Sequence, residues 1–168
     1  MEKVKEVPYG VADFVTVMEQ NLYYVDKTMF IPELEKQPRN LFFIRPRRFG
    51  KSIFLSMLHS YYDCNQSAKF QSLFGNLWIG QHPTELQGKY QVLFLDFSQV
   101  SGNIDSLERN FDFYCSVKLD GFMRRYGEAY SEETREKVRK AEYAMDKLAF
   151  IHDEAAQKGF SLYLIVDE

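Results

Sequence analysis

Apolar and polar positions follow two kinds of pattern along this chain, short apolar runs and longer stretches with helical spacing. Three runs have the length and composition of buried strands, and they cover residues 41–44, 91–97 and 160–166. Apolar residues at helical spacing predict helices over 13–20, 28–36, 54–62, 69–75, 104–126 and 131–158, and residues 22–25 could form a further short strand. After a leading segment, strands and helices alternate, which predicts a three-layer α/β/α sandwich around a mostly parallel sheet.

Length and composition narrow the class of protein. A chain of 168 residues can form one domain with a substantial core, and we expect a leading segment (1–40) followed by the core (41–168). Hydrophobic residues make up 45% of the chain and aromatic residues 16%, which argues against disorder. The net charge of −3 offers no electrostatic case for nucleic-acid binding.

Other features of the sequence bear on location. No stretch approaches the length of a transmembrane helix, and the charged start of the chain is not followed by an apolar secretion segment. Cys64 and Cys115 are isolated cysteines without metal-binding spacing, and we interpret them as reduced thiols. We therefore expect a cytoplasmic protein with no membrane partner.

Candidate chemistry begins in residues 45–52, which read Arg-Pro-Arg-Arg-Phe-Gly-Lys-Ser. Gly50-Lys51-Ser52 forms the second half of the phosphate-binding pattern G-x-x-x-x-G-K-[ST], although Arg45 occupies the position of the first glycine. A predicted strand precedes this run and a predicted helix follows it, so backbone N–H groups and the positive end of a helix dipole would meet at one point. The alternative is a basic turn before an amphipathic helix.

A second motif closes the last apolar run. Asp167 and Glu168 follow residues 160–166 and match the Walker B motif of nucleotide hydrolases, in which the aspartate holds Mg²⁺ and the glutamate polarises water. Alternatively, a buried strand simply ends in acidic residues where it reaches solvent. The two motifs together favour a nucleotide site.

The order of these motifs bears on how much of a fold the chain contains. In P-loop ATPases whose catalytic glutamate follows the Walker B aspartate, a strand from later in the chain lies between the loop strand and the Walker B strand. This chain ends at Glu168. We therefore expect a part of a longer protein, with a sheet that stops after the Walker B strand.

Three sequence pieces carry a resemblance to a known family. They are Ala12-Asp13-Phe14 followed by residues 23–28 (Tyr-Tyr-Val-Asp-Lys-Thr), residues 43–52 around the Gly-Lys-Ser run, and residues 162–168. The chain resembles the bacterial predicted AAA-ATPase-like family, whose loop also lacks the first glycine. Members usually carry a PD-(D/E)XK nuclease-like domain after the ATPase part. The resemblance implies that residues 1–168 are the amino-terminal part of such a P-loop domain.

The resemblance also implies roles for single residues. Lys51 would contact the β and γ phosphates of ATP as a catalytic residue, and Ser52 would bind Mg²⁺. Asp167 would hold the Mg²⁺ shell, and Glu168 would orient the attacking water as the second catalytic residue. The nucleotide-binding set comprises Arg47, Arg48, Phe49, Gly50, Lys51 and Ser52. The backbone of residues 47–50 would cradle phosphate, whereas the side chains of Arg47 and Arg48 either balance phosphate charge or lie in solvent.

Several other residues have two open interpretations. Tyr23, Tyr24 or Asp26 could lie near the adenine, but we favour a core position for Tyr24 and a helix-capping role for Asp26. Trp78 is expected to fill core. Asp96 ends the second apolar run and could touch Mg²⁺ or water, or could be an ordinary carboxylate at a strand end.

These observations leave three candidate functions. The first is a Mg²⁺-dependent ATPase module that drives or gates an attached domain. The second is a nucleotide-dependent switch with little turnover that regulates a nuclease-like domain or a partner. The third is a nucleic-acid-binding domain that uses the basic loop, which the net charge disfavours. Homo-oligomerisation as a ring or a dimer stays open.

Overall fold

The computed structural model describes residues 5–38, 40–44, 46 and 49–167, and divides the chain into two compact units with a boundary between Lys89 and Tyr90. The first unit contains the helices α1 (Phe14–Glu19), α2 (Ile31–Glu35), α3 (Lys51–Tyr62), α4 (Phe70–Phe74) and α5 (Trp78–Gln81). The second contains the strands β1 (Tyr90–Asp96) and β2 (Ser161–Asp167) and the helices α6 (Ile104–Tyr126), α7 (Glu132–Lys140) and α8 (Ala144–Lys158). None of the described helices is long and apolar enough to cross a lipid bilayer.

The first unit is held together by aromatic side chains around α3. Phe14 of α1 is fully buried, and its ring stacks on Phe74 of α4 with 5.0 Å between centroids. Tyr61 of α3 meets the same Phe74 ring edge-on at 5.5 Å. Such large buried rings contribute most of the apolar burial available to a unit of this size. They fix α3, the helix that follows the Gly-Lys-Ser run, against α1 and α4.

The second unit is organised by a parallel pair of strands. β1 and β2 pair in register from Tyr90 beside Ser161 to Asp96 beside Asp167, and the connection between them consists of α6, α7 and α8. Both strands were predicted from their apolar runs, and their parallel pairing is confirmed. The described residues thus form a mixed α/β structure with a two-stranded parallel sheet.

Tyrosine hydroxyls from α6 bond the backbone of β1. The Val92 amide donates to the Tyr126 hydroxyl at 3.2 Å, and the Asp96 amide donates to the Tyr114 hydroxyl at 2.7 Å. Val92 is fully buried, so without this acceptor its N–H group would be left without a partner. These bonds dock α6 along β1.

The strand predicted over residues 41–44 is wrong in this structure. The sheet of the described residues contains β1 and β2, and residues 41–44 have no strand assignment. Phe42 and Ile44 are 91% and 90% exposed, while Phe43 stacks on Phe54 of α3 at 5.1 Å. An apolar run becomes a strand only when a neighbouring strand satisfies its backbone groups. Residues 22–25, for which a short strand was considered, are likewise unassigned.

Two predicted helices also differ from the structure. Residues 131–158 form two helices, because α7 ends at Lys140 and α8 begins at Ala144. The Ala144 amide donates to the Asp112 carboxylate of α6 at 2.9 Å, so a residue remote in sequence caps the start of α8. Residues 28–36 form a 3₁₀ turn (Thr28–Phe30) followed by α2. In contrast, α6 has the predicted bounds, and Gly159 in a left-handed conformation ends α8 as predicted.

Candidate functional site

The Gly-Lys-Ser run lies where a chain segment turns into α3. Gly50 is the N-cap of α3 with φ 76° and ψ 29°, and Lys51 and Ser52 are its first two residues. This left-handed conformation is cheap for glycine and strained for other residues. The first amides of a helix have no acceptor inside the helix, and they point outward at the positive end of its dipole. No acidic residue occupies the first turn of α3, so its N-terminal end suits an anion.

Only part of the predicted loop belongs to the described residues. Arg45, Arg47 and Arg48 lie outside them, as does Glu168, and the roles assigned to these residues stay predictions. Phe49 is described, and its amide donates to the Pro46 carbonyl at 3.4 Å. Its ring is 61% exposed beside the loop.

A cavity of about 180 Å³ opens beside Gly50. Its lining is mostly aromatic and aliphatic, and it consists of Lys27, Phe30, Glu33, Leu34, Gln37, Phe43, Phe49, Gly50 and Phe54. The Lys27 ammonium group donates to the Phe49 carbonyl at 3.5 Å. A Cβ atom added at Gly50 would lie 3.5 Å from the same ammonium nitrogen. A second lysine therefore lies beside the loop, where the sequence alone indicated only Lys51.

The Tyr-Val-Asp-Lys-Thr segment carries Lys27 and is firmly anchored. One Asp26 carboxylate oxygen accepts bonds from the Thr28 amide and hydroxyl at 2.8 and 2.7 Å. The other accepts from the Trp78 amide at 2.8 Å, and the Thr28 hydroxyl accepts from the Ile79 amide at 3.1 Å. Asp26 thus has the capping role considered above: it bonds the first amide of the 3₁₀ turn Thr28–Phe30 and, in addition, the first amide of α5.

The two aromatic predictions for this region had different outcomes. Tyr24 is half-buried against Phe14 with ring centroids 5.3 Å apart, and burial raises the pKa of its hydroxyl. This agrees with a core position for Tyr24. The prediction that Trp78 fills core is wrong, because Trp78 is 37% exposed and stacks on His82 at the surface, 4.4 Å between ring centroids.

The end of β2 presents a different arrangement. Asp167 is the last residue of β2, is only 6% exposed, and is paired in register with Asp96 at the end of β1. The Asp96 carboxylate accepts bonds from the Ser98 hydroxyl, the Ser98 amide and the Gln99 side chain. These bonds, led by that from the Ser98 hydroxyl, lower the pKa of Asp96. Asp96 therefore closes the turn after β1 as a strand-end carboxylate.

No ready-made metal centre accompanies these carboxylates. Among residues 5–38, 40–44, 46 and 49–167, no group of three histidine, cysteine, aspartate or glutamate side chains is arranged to hold a metal ion. A Mg²⁺ site of the predicted kind needs fewer protein ligands, because Mg²⁺ keeps several waters and binds substrate phosphates.

The sequence was compared with families, curated proteins and solved structures. The sequence model of the AAA-ATPase-like family, described as a predicted AAA-ATPase, matches residues 8–168. An "Uncharacterized protein in vnfD 5'region" from Azotobacter chroococcum mcd 1 is 43% identical over 63 residues, which are 37% of this chain and 12% of that protein. The matched part is therefore a small fraction of the relative's length. No solved structure matches.

Proposed function

The chain belongs to the predicted AAA-ATPase family, and we propose that it is the ATP-binding and ATP-hydrolysing P-loop module of a larger protein. One observation carries this proposal beyond family membership. Gly50 takes a left-handed conformation at the N-cap of a twelve-residue helix, directly before Lys51 and Ser52. A glycine in this conformation, directly before a helix that starts with lysine and serine, supports the proposal of a phosphate-binding loop.

The residues at the start of α3 would have chemically distinct roles. The amides of the first turn donate hydrogen bonds to phosphate oxygens, and the loop backbone from Arg47 to Gly50 cradles the phosphate. Lys51 brings a positive charge to the β and γ phosphates, which repel one another. Ser52 presents its hydroxyl as a Mg²⁺ ligand.

The acidic end of β2 would bind the metal ion and the attacking water. Asp167, held at the end of a paired strand, contributes a carboxylate to the Mg²⁺ shell, and Glu168 orients the water that attacks the γ-phosphate. Mg²⁺, when bound, neutralises charge on the transferred phosphoryl group. The support for these roles is the position of Asp167 at the carboxyl end of a parallel strand, where α/β sheets bind ligands.

The same proposal covers the architecture. Residues 1–168 are the amino-terminal part of a three-layer P-loop fold, with a leading segment (1–40) and a core (41–168). A nuclease-like domain follows in the full-length protein and is the element that the ATPase drives or gates. The protein acts in the cytoplasm, either alone or as a homo-oligomer.

The test uses the full-length protein and two variants. Isothermal titration calorimetry measures Mg-ATP binding, and phosphate release measures turnover. We expect Lys51→Ala to lose nucleotide affinity, and Glu168→Gln to keep affinity while turnover stops. Lys69→Ala is the matched control, because Lys69 is an exposed lysine of the first unit that pairs with Glu19 at 3.3 Å and is not part of the cavity lining. Binding without turnover in the wild type would favour a nucleotide-dependent switch, and absence of binding would refute both functions.

A further inference from the structure

Lys27 lies close to the proposed phosphate loop although it precedes Gly50 by more than twenty residues. We propose that Lys27 is a positioning residue of this loop, which holds the Phe49 carbonyl and thereby aims the Gly50 amide at the bound phosphate. This inference rests on the proposed function, since the phosphate is the ligand that the amide would meet.

The geometry of a trans peptide carries the first step. The C=O of one residue and the N–H of the next point in opposite directions across a trans peptide bond. The Phe49 carbonyl accepts a hydrogen bond from the Lys27 ammonium group at 3.5 Å, and no cis peptide occurs in the described chain. The Gly50 amide therefore points away from Lys27. Rotation of this peptide would turn its carbonyl, instead of its amide, toward an anion.

The second step concerns how Lys27 is held. Its two neighbours in sequence are fixed, because the Asp26 carboxylate accepts from the Trp78 amide and Thr28 is fully buried with its hydroxyl bonded to the Ile79 amide. Lys27 thus projects from an anchored backbone. Because that backbone is already ordered, less conformational entropy is lost when Lys27 contacts the loop. This anchoring gives the Tyr-Val-Asp-Lys-Thr segment a purpose in the site.

The third step concerns charge. Within the described part of the chain, no carboxylate forms an ion pair with the Lys27 ammonium group, and the cavity's acidic residue, Glu33, is paired with Lys36. A positive charge therefore stands beside the N-terminal end of α3 and adds to the potential that attracts phosphate. Because the bond to Phe49 is long, we expect a moderate effect.

The experiment compares nucleotide with a probe that has no base. Calorimetry on the full-length protein measures the affinities for ADP and for inorganic pyrophosphate in wild type, Lys27→Met, Lys27→Arg and the control Lys69→Met. We expect Lys27→Met to weaken the binding of both ligands by a similar factor of about three to ten, the equivalent of one ordinary hydrogen bond, because the bond to Phe49 is long. Lys27→Arg should restore most of the affinity, and Lys69→Met should change nothing, because Lys69 is exposed, pairs with Glu19 and is not part of the cavity lining.

Each contrary outcome has a defined meaning. Wild-type affinity in Lys27→Met, with binding lost in Lys51→Ala, would overturn this inference and leave the proposed function intact. A loss for ADP but not for pyrophosphate would place Lys27 at the nucleoside and overturn it as well. A loss that follows a lowered unfolding temperature and is not restored by arginine would show a purely structural role. No nucleotide binding in the wild type would overturn both proposals.

Discussion

Residues 41–52 and 160–167 share one sequence pattern. In each, an apolar run is followed by residues that could bind a phosphate or a metal ion. In the structure they differ. Residues 161–167 form β2, paired along their length with β1, and end in a buried carboxylate. Residues 41–44 form no strand and expose most of their apolar side chains, and the next helix along the chain is α3. The comparison teaches that an apolar run specifies a capacity for strand formation, which only a partner strand realises.

Truncating one isoleucine in each run tests this difference most strongly. Ile165 of β2 is 4% exposed, so Ile165→Ala should lower the free energy of unfolding by about 2–5 kcal/mol through lost burial and a cavity. Ile44→Ala should cost less than about 0.5 kcal/mol, since an exposed side chain loses little. Urea denaturation of both variants checks this. A large cost at Ile44 would show that residues 41–44 are buried in solution.

Two glycines with nearly equal backbone angles, one beside each of these segments, allow a second test of the comparison. Gly50 starts α3 with φ 76°, and Gly159 ends α8 before β2 with φ 73°. An added Cβ meets only ordinary contacts at Gly50 and nothing within 4 Å at Gly159. Alanine at either position should therefore cost about 1–2 kcal/mol of backbone strain. Thermal unfolding measures this cost.

Function should separate these two alanine variants. We expect Gly50→Ala to weaken ADP binding in calorimetry as well, while Gly159→Ala leaves the affinity unchanged. Equal affinities in both variants would argue that Gly50 has a structural role only.

Acid tests the region that leads into β2 through a single carboxylate. Burial opposes ionisation of Glu154 in α8, but bonds from Lys158 and from the amide and hydroxyl of Ser131 outweigh it and lower its pKa from 4.5 to about 2. A depressed folded-state pKa stabilises the fold above the unfolded value of about 4.5 and loses this contribution as pH falls from there toward 2.

The variant Glu154→Gln removes this titration. Its stability should therefore fall less between pH 4.5 and 2 than that of the wild type, as measured by urea midpoints across that range. Parallel pH profiles would show that Glu154 contributes no ionic stabilisation.

Local sequence signals predicted the elements whose boundaries are set locally. Helix α6 was predicted with its observed bounds, because apolar spacing marks its face and Gly127 follows it. The end of α8 at Gly159 was predicted for a similar reason. Both strands of the sheet were also predicted, since each is a continuous apolar run.

The wrong or absent predictions have a common physical cause, which is contacts between residues distant in sequence. Asp112 caps α8 from α6, so the break after Lys140 has no local signal. Asp26 caps α5 from across the first unit, and α5 was not predicted. The same holds for Lys27: the motif that contains it was visible in the sequence, but its contact with Phe49 depends on the fold.

The tyrosine hydroxyls on β1 determine how this sheet can grow. Tyr114 and Tyr126 already accept the Asp96 and Val92 amides, the groups that another strand on that side would need. A strand added on this side of β1 would have to displace both hydroxyls and move α6. A strand that joined the sheet without this rearrangement would have to pair with the other edge, which belongs to β2, the strand that ends in Asp167.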